Sequence, residues 1–154
     1  MKTIDFDPSR CDRCVKCEAA CREAHAGMSG ICLVALTSGA AMSIANCRHC
    51  DTPTCQLFCP AGAIQSTGAQ GVLAVDTGRC IGCGMCAMGC PEGAIELDSQ
   101  RGLAFKCDLC GGDPRCVGAC PTGALAYTSP GKVVARQRRA HVWAATVSPA
   151  RMCE

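Results

Sequence analysis

The chain has 154 residues, a formal net charge of +2 and 18 cysteines, with only Phe6, Phe58, Phe105, Tyr127 and Trp143 as aromatic residues. A core this poor in large side chains needs staples, and the length suits one ordinary domain or two very small ones. No long apolar run argues for a membrane span, and the opening MKTIDFDPSR has neither an apolar signal segment nor a twin arginine, so the sequence reads as cytoplasmic with reduced thiols.

In chain order, TIDFD at 3–7 reads as a single strand. Cys11, Cys14, Cys17 and Cys21 follow, spaced x2, x2, x3. ICLVAL and TSGAAMSIA, 31–45, predict a hairpin, inside which Cys32 reads as a buried structural thiol. Cys47, Cys50, Cys55 and Cys59 are spaced x2, x4, x3. AIQS and VLAVD, joined by TGAQG, predict a second hairpin. Cys80, Cys83, Cys86 and Cys90 return to x2, x2, x3, and AIELDSQRGLAFK predicts a third hairpin. Cys107, Cys110, Cys116 and Cys120 are spaced x2, x5, x3, and ALAY at 124–127 is a strand able to pair with the first. KVVARQRRAHVWAATV, 132–147, is basic and free of cysteine. It predicts a helix with Val133, Ala140, Trp143, Ala144 and Val147 on one face. That helix either packs back on its own fold or docks on a partner, since Trp and Arg favour interface hot spots. Cys153 reads as a thiol of a disordered tail.

Disulfide scaffolding fits neither the compartment nor the spacing. Structural zinc uses paired C-x2-C knuckles separated by a longer loop. A compact C-x2-C-x2-C triplet instead converges three sulfurs on a larger object. C-x2-C-x2-C-x3-C-P is the signature of bacterial two-cluster ferredoxins, whose fourth cysteine serves the other [4Fe–4S] cluster. Gly82, Gly84 and Gly89 are expected to let the backbone approach an inorganic core and reach positive φ. Pro60, Pro91 and Pro121 follow the last cysteine of three runs and should redirect the chain there. CPAGAI, CPEGAI and CPTGAL mark an internal repeat of roughly 30 residues.

The stretches CRHCDTPTCQLFCPAGAI, CIGCGMCAMGCPEGAI and KCDLCGGDPRCVGACPTGAL resemble the four-cluster ferredoxin-like electron-transfer subunits of oxidoreductases. These accompany tungsten or molybdenum formate and aldehyde oxidoreductases, dimethyl sulfoxide and nitrate reductases, carbon monoxide dehydrogenases and hydrogenases. The resemblance covers residues from about 3 to 127 and implies an α+β fold of two nested bacterial-ferredoxin-like units with short β-hairpins and small helices, plus a C-terminal helix. Residues 1–45 with 99–130 would form the outer unit, 46–98 the inner one, and 131–154 a helical tail. The resemblance implies four [4Fe–4S] clusters. One would take Cys47, Cys50, Cys55 and Cys90, and its neighbour Cys80, Cys83, Cys86 and Cys59. A third would take Cys11, Cys14, Cys17 and Cys120, and the fourth Cys107, Cys110, Cys116 and Cys21. The chain is shorter than members with extra sheets and a membrane anchor, and Arg22 stands where the other runs have proline.

With every cluster held by four cysteines no iron is open to a substrate, so no catalytic site is expected and the protein reads as a wire. Four clusters of about −2 each would move the formal charge from +2 to about −6. Lys106, Arg48 and Arg79 either offset part of that charge or are ordinary surface cations. His25 and His49 are candidates for hydrogen bonds that tune a potential. The expected partners are a large catalytic subunit, first a tungsten or molybdenum aldehyde or formate oxidoreductase, and a flavin-containing subunit. Alternatives are a nickel carbon monoxide dehydrogenase or hydrogenase partner, a free soluble ferredoxin, or a filament-forming wire. A zinc or nucleic-acid module is more distant, because RQRR is short and lacks interleaved aromatics.

Overall fold

The computed structural model describes residues 2–35, 42–68 and 71–147, with side chains of the last helix described through residue 138. The elements run β1 (Thr3–Phe6), α1 (Lys16–Ala24), β2 (Ile31–Ala35), β3 (Met42–Asn46), α2 (Thr54–Leu57), β4 (Ile64–Thr67) and β5 (Val72–Val75). They continue with α3 (Met85–Met88), β6 (Ile95–Asp98), β7 (Leu103–Lys106), α4 (Arg115–Gly118), β8 (Leu125–Thr128) and α5 (Pro130–Val147). Short 3-10 turns cover Pro8–Arg10 and Leu109–Gly112.

The strands form four separate antiparallel ribbons: β1 with β8, β2 with β3, β4 with β5, and β6 with β7. Thr3 sits opposite Thr128 and Phe6 opposite Leu125, so the two ends of the cysteine-bearing chain are stitched together. The three expected hairpins form; residues 36–41 of the first lie outside the described residues. A two-stranded ribbon is marginal in water and must cover a face. Here the thiols supply much of the cover. Ile4, Ile31, Leu109 and Leu125 are buried with Cys17, Cys21, Cys47, Cys107 and Cys116. Ile64, Leu73 and Ala104 are buried with Cys86. That composition explains how a chain with so few aromatics has an interior.

The short helices carry the cysteine runs. α2, α3 and α4 each span four residues and stop before the last cysteine of their run. Pro60, Pro91 and Pro121 then bar continuation, having no N–H and a ring that clashes with the preceding turn. α1 spans nine residues and passes through Cys21, because Arg22 can donate where a proline cannot. α1 packs on α4, α2 packs on α3, and β5 packs on β7.

α5 begins directly after β8. Val133 in its first turn is buried. Arg136, one turn later, donates two hydrogen bonds to the carboxylate of Asp5 and one to the Phe6 carbonyl, each 2.8 Å. The start of the helix therefore packs back on β1. The side chains of Ala140, Trp143, Ala144 and Val147 lie outside the described residues.

Candidate metal centre

All four cysteine runs share one backbone device. The residue before the second cysteine is left-handed each time: Arg13 (φ 63), His49 (φ 48), Gly82 (φ 66) and Leu109 (φ 59). Only the third run places glycine there. The second turn repeats the device at Val15 (φ 51), Gly84 (φ 76) and Gly111 (φ 67). Non-glycine residues hold this conformation at a cost of about 1–3 kcal/mol each, and only where the surroundings impose it. The loops are thus tightly bent at matching positions in every run. Gly82 has a further reason, since a Cβ there would collide with the Gly102 carbonyl.

Gly89 departs from expectation. Its φ is −85°, an ordinary helical value, so positive φ is not its role. A Cβ at that position would run into the Phe58 ring, so the missing side chain serves the packing of α2 against α3.

In space the last cysteine of a run leaves its own run. Cys59 lines one hollow with Cys80, Cys83 and Cys86. Cys90 lines another with Cys47, Cys50 and Cys55. Cys120 and Cys14 both lie close enough to act electrostatically on the Cys17 thiol. Cys21 acts in the same way on Cys107, Cys110 and Cys116. Cys11 is half-buried at the end of the Pro8–Arg10 turn, at the head of the first run.

Backbone N–H groups point at these sulfurs. Ala63 donates to Cys59 Sγ at 3.2 Å and Ala94 to Cys90 Sγ at 3.4 Å, the same relation in two copies of the repeat. Gly30 donates to Cys21 at 3.3 Å, while His49, Ala104 and Leu109 donate to Cys47, Cys80 and Cys107 at 3.4 Å. Burial pushes the Cys107 and Cys116 thiols up to about 12 and Cys17 up to about 11, with neighbouring thiols adding to the effect. At Cys120 burial acts in the same direction, but N–H groups of Leu125, Ala124 and Thr122 and the Thr122 hydroxyl outweigh it and hold the thiol below its ordinary value. Clustered, buried thiols are poor thiolates by themselves and good ones around a cationic core. The tightly bent loops and the N–H donors aimed at sulfur fit a cysteine-held iron–sulfur core, whose sulfurs need such donors.

The charged neighbours differ from one another. Lys106 is 1% exposed rather than a surface cation. Its Nζ donates to the Leu73 carbonyl and, at 3.3 Å, to the Cys107 carbonyl. Arg48 pairs with Glu92 and Arg79 with Asp76, both at 3.4 Å and half-exposed, as ordinary surface cations do. His49 is buried, and burial with the Lys106 charge lowers its pKa to about 4. His25 Nε2 lies 3.4 Å from Cys110 Sγ and 3.7 Å from Asp108, with its ring against Phe105. Arg22 bonds Glu18 at 3.1 Å and Glu96 at 2.9 Å, tying α1 to β6. Cys32 is exposed, which corrects the expectation of a buried thiol: Ile31 takes the inward place in β2 and the next residue alternates outward. Cys153 lies outside the described residues.

Tightly bent loops with thiols crossing between runs and N–H groups on sulfur define the class of cysteine-ligated iron–sulfur proteins. Residues 39–130 match the 4Fe-4S dicluster domain family and residues 8–24 the 4Fe-4S binding domain family. The chain belongs to the 4Fe-4S dicluster domain family, and it carries multiple 4Fe–4S clusters for electron transfer. It is 42% identical over 132 residues to the NADH-dependent phenylglyoxylate dehydrogenase subunit beta of Aromatoleum evansii, covering 81% of this chain and 30% of that subunit's length. It is 34% identical over 139 residues to an uncharacterized ferredoxin of Methanocaldococcus jannaschii, covering 90% of this chain and 79% of the ferredoxin. A thiosulfate reductase electron transfer subunit of Salmonella typhi is 33% identical over 139 residues, 79% of this chain and 72% of that subunit. Among the described residues no helix is long and apolar enough to cross a membrane.

Proposed function

We propose that the protein is the electron-transfer subunit of a multi-subunit oxidoreductase and that it holds four [4Fe–4S] clusters in a row. The carrying observation is the exchange of last cysteines between runs. Cys59 sits with Cys80, Cys83 and Cys86, and Cys90 with Cys47, Cys50 and Cys55. Cys120 sits with Cys14 and Cys17, and Cys21 with Cys107, Cys110 and Cys116. Cys11 completes the third set. The pairing of β1 with β8 and the packing of α1 on α4 support an outer unit of 1–45 with 99–130 around an inner unit of 46–98.

The order of the sets combines thiols that act on each other across set boundaries with the exchange of Cys59 and Cys90 and the packing of α2 on α3, which put the Cys59 set beside the Cys47 set. Cys47 acts on Cys107, and Cys17 acts on Cys116. The sequence of sites is then Cys59/Cys80/Cys83/Cys86, Cys47/Cys50/Cys55/Cys90, Cys21/Cys107/Cys110/Cys116 and Cys11/Cys14/Cys17/Cys120. A [4Fe–4S] cluster supplies a one-electron redox centre with no open coordination site when four thiolates hold it. The chain's own residues bury the sulfurs, donate N–H bonds to them and fix the spacing between sites. In this reading the run cysteines serve as ligands, and the substrate chemistry falls to a partner.

Two partner classes have support. A reductase complex is supported by the thiosulfate reductase subunit and by a probable anaerobic dimethyl sulfoxide reductase chain of Escherichia coli, 32% identical over 168 residues, and the tungsten or molybdenum aldehyde or formate enzyme expected from the sequence is kept as a proposal beside it. A dehydrogenase of 2-oxo acids with NADH as the other redox partner is favoured by the 42% identity to the phenylglyoxylate dehydrogenase subunit. Anaerobic purification of the native complex, with elemental analysis and subunit identification, separates them. About 16 iron atoms per chain are expected. Tungsten or molybdenum in a large second subunit establishes the first class, and a large subunit without either metal favours the second. Iron with no second chain would leave a free carrier, and filaments in electron micrographs would move the reading to a self-associating wire.

A further inference from the structure

Two buried polar groups line the hollow shared by Cys47, Cys50, Cys55 and Cys90, and neither has the partner its chemistry calls for. The first is the Lys106 ammonium, 1% exposed, whose hydrogen bonds go to the carbonyls of Leu73 and Cys107. It forms no ion pair with a carboxylate among the described residues. A buried cation held by carbonyls alone is costly unless an anion lies beside it. The second is His49, 3% exposed. The Leu73 N–H donates to its Nδ1 at 3.2 Å, so Nδ1 is unprotonated and the neutral ring carries its proton on Nε2. That Nε2 is buried without a hydrogen-bond partner among the described residues. Among the described residues no cysteine sulfur accepts from it. Leu73 thus orients both groups, through its carbonyl and its N–H.

We propose that Lys106 and His49 raise the potential of the Cys47/Cys50/Cys55/Cys90 site above that of its Cys59/Cys80/Cys83/Cys86 neighbour, Lys106 by its buried positive charge and His49 by an Nε2–H hydrogen bond to a cluster sulfur. This rests on the reading that those four thiols hold a [4Fe–4S] cluster. Reduction adds negative charge, and a fixed cation and an N–H donor stabilise the more negative state most. The neighbouring hollow of Cys59, Cys80, Cys83 and Cys86 is lined otherwise by alanine, glycine, isoleucine and valine, with no cation and no ring donor. Lys106 acts on the Cys55 thiol, whereas burial, the Leu109 N–H and other thiols govern Cys107. An electron shared between these two sites then rests on the Cys47/Cys50/Cys55/Cys90 side.

The test is an EPR-monitored redox titration of the full chain, purified anaerobically with whatever subunits accompany it, for wild type, Lys106→Met, Lys106→Arg and His49→Asn. Asparagine tolerates the left-handed backbone at position 49. The expected result is a downward shift of one and the same reduction step of the four in both Lys106→Met and His49→Asn, with iron content and the other three steps unchanged. Lys106→Arg, which keeps the charge, stays nearer wild type. Fully loaded variants in which no step moves, in which different steps move, or in which all four move together overturn the proposal. Should Lys106→Met lose iron, His49→Asn decides alone. A wild-type protein with no iron–sulfur signal would instead overturn the cluster reading itself.

Discussion

Arg136 grips Asp5 through two parallel hydrogen bonds of 2.8 Å, joining the last helix to the first strand across nearly the whole chain. Asp5 is 8% exposed, so its carboxylate depends on that grip and on little water. The same guanidinium donates to the Phe6 carbonyl, which fixes the helix against the edge of the β1–β8 ribbon. Arg136→Met should remove the charge-assisted bonds and leave a buried carboxylate unpaired, costing about 1–3 kcal/mol. A double-mutant cycle with Asp5→Asn measures the coupling by thermal melts. Additive effects of the two changes would show that the pair contributes nothing to stability.

Gly30 stands against the backbone of Cys107. A Cβ there would lie 2.6 Å from both the Cα and the N of Cys107. The neighbour is backbone, which cannot rotate away, and Gly30 also donates its N–H to Cys21 Sγ. Gly30→Ala should therefore disturb two thiols of one proposed set at once. The expected outcome is about 1–3 kcal/mol of destabilisation together with a loss of up to one cluster's iron. Iron analysis of the purified variant reads it. Full iron loading with an unchanged melting temperature would mean that β2 shifts freely past the fourth run.

The cysteine runs, the hairpins and the strand pair at the two ends were legible because ligand spacing, turn residues and the repeated C-P-x-G-A leave few ways to fold. Other residues misled for local reasons. Cys32 has the composition of a buried residue, but strand alternation after Ile31 turns it outward. Lys106 has the composition of a surface residue, yet it shares the inward face of β7 with Ala104, two positions back. In both places the two-residue period was the better guide than residue type. Arg136 gave no sign in the sequence beyond lying three residues after Val133 on one helical face, because its partner is 131 positions away. The left-handed residues Arg13, His49 and Leu109 were hidden because only Gly82 advertises the turn that all four share.

Val15 holds a left-handed conformation, φ 51 and ψ 10, at the start of α1, and its side chain is 54% exposed. A β-branched residue is strained there by about 1–2 kcal/mol, and little burial offsets it. Val15→Gly relieves the strain but adds about 0.5–1 kcal/mol of unfolded-state entropy. The net expectation is a gain of about 1 kcal/mol, a rise of about 2–4 °C in melting temperature for a chain of this size, with iron content unchanged. A fall in melting temperature would mean that the valine side chain contributes more packing than its exposure suggests.

The buried thiols make the iron-free chain and the loaded protein respond differently to pH. Burial raises Cys17 to about 11 and Cys107 and Cys116 to about 12. An unfolded thiol titrates at about 8.5. As pH rises past that value, the unfolded chain loses protons that the folded, iron-free chain still keeps, so folding stability declines. The decline runs from about pH 8.5 towards the folded values, and the stability is fully present below it. With these cysteines as the proposed ligands, the same sulfurs in the loaded protein are already thiolates with no proton to lose. Thermal melts under anaerobic, reducing conditions should show the iron-free chain weakening between about pH 8 and 10 while the loaded protein changes little over that range. Loading with iron and sulfide should release protons and go further at about pH 8.5 than at about pH 6.5, since each site must give up its thiol protons to bind. An iron-free chain equally stable across that range would mean that these thiols titrate as exposed ones do, and that the folded loops form only when the metal gathers them.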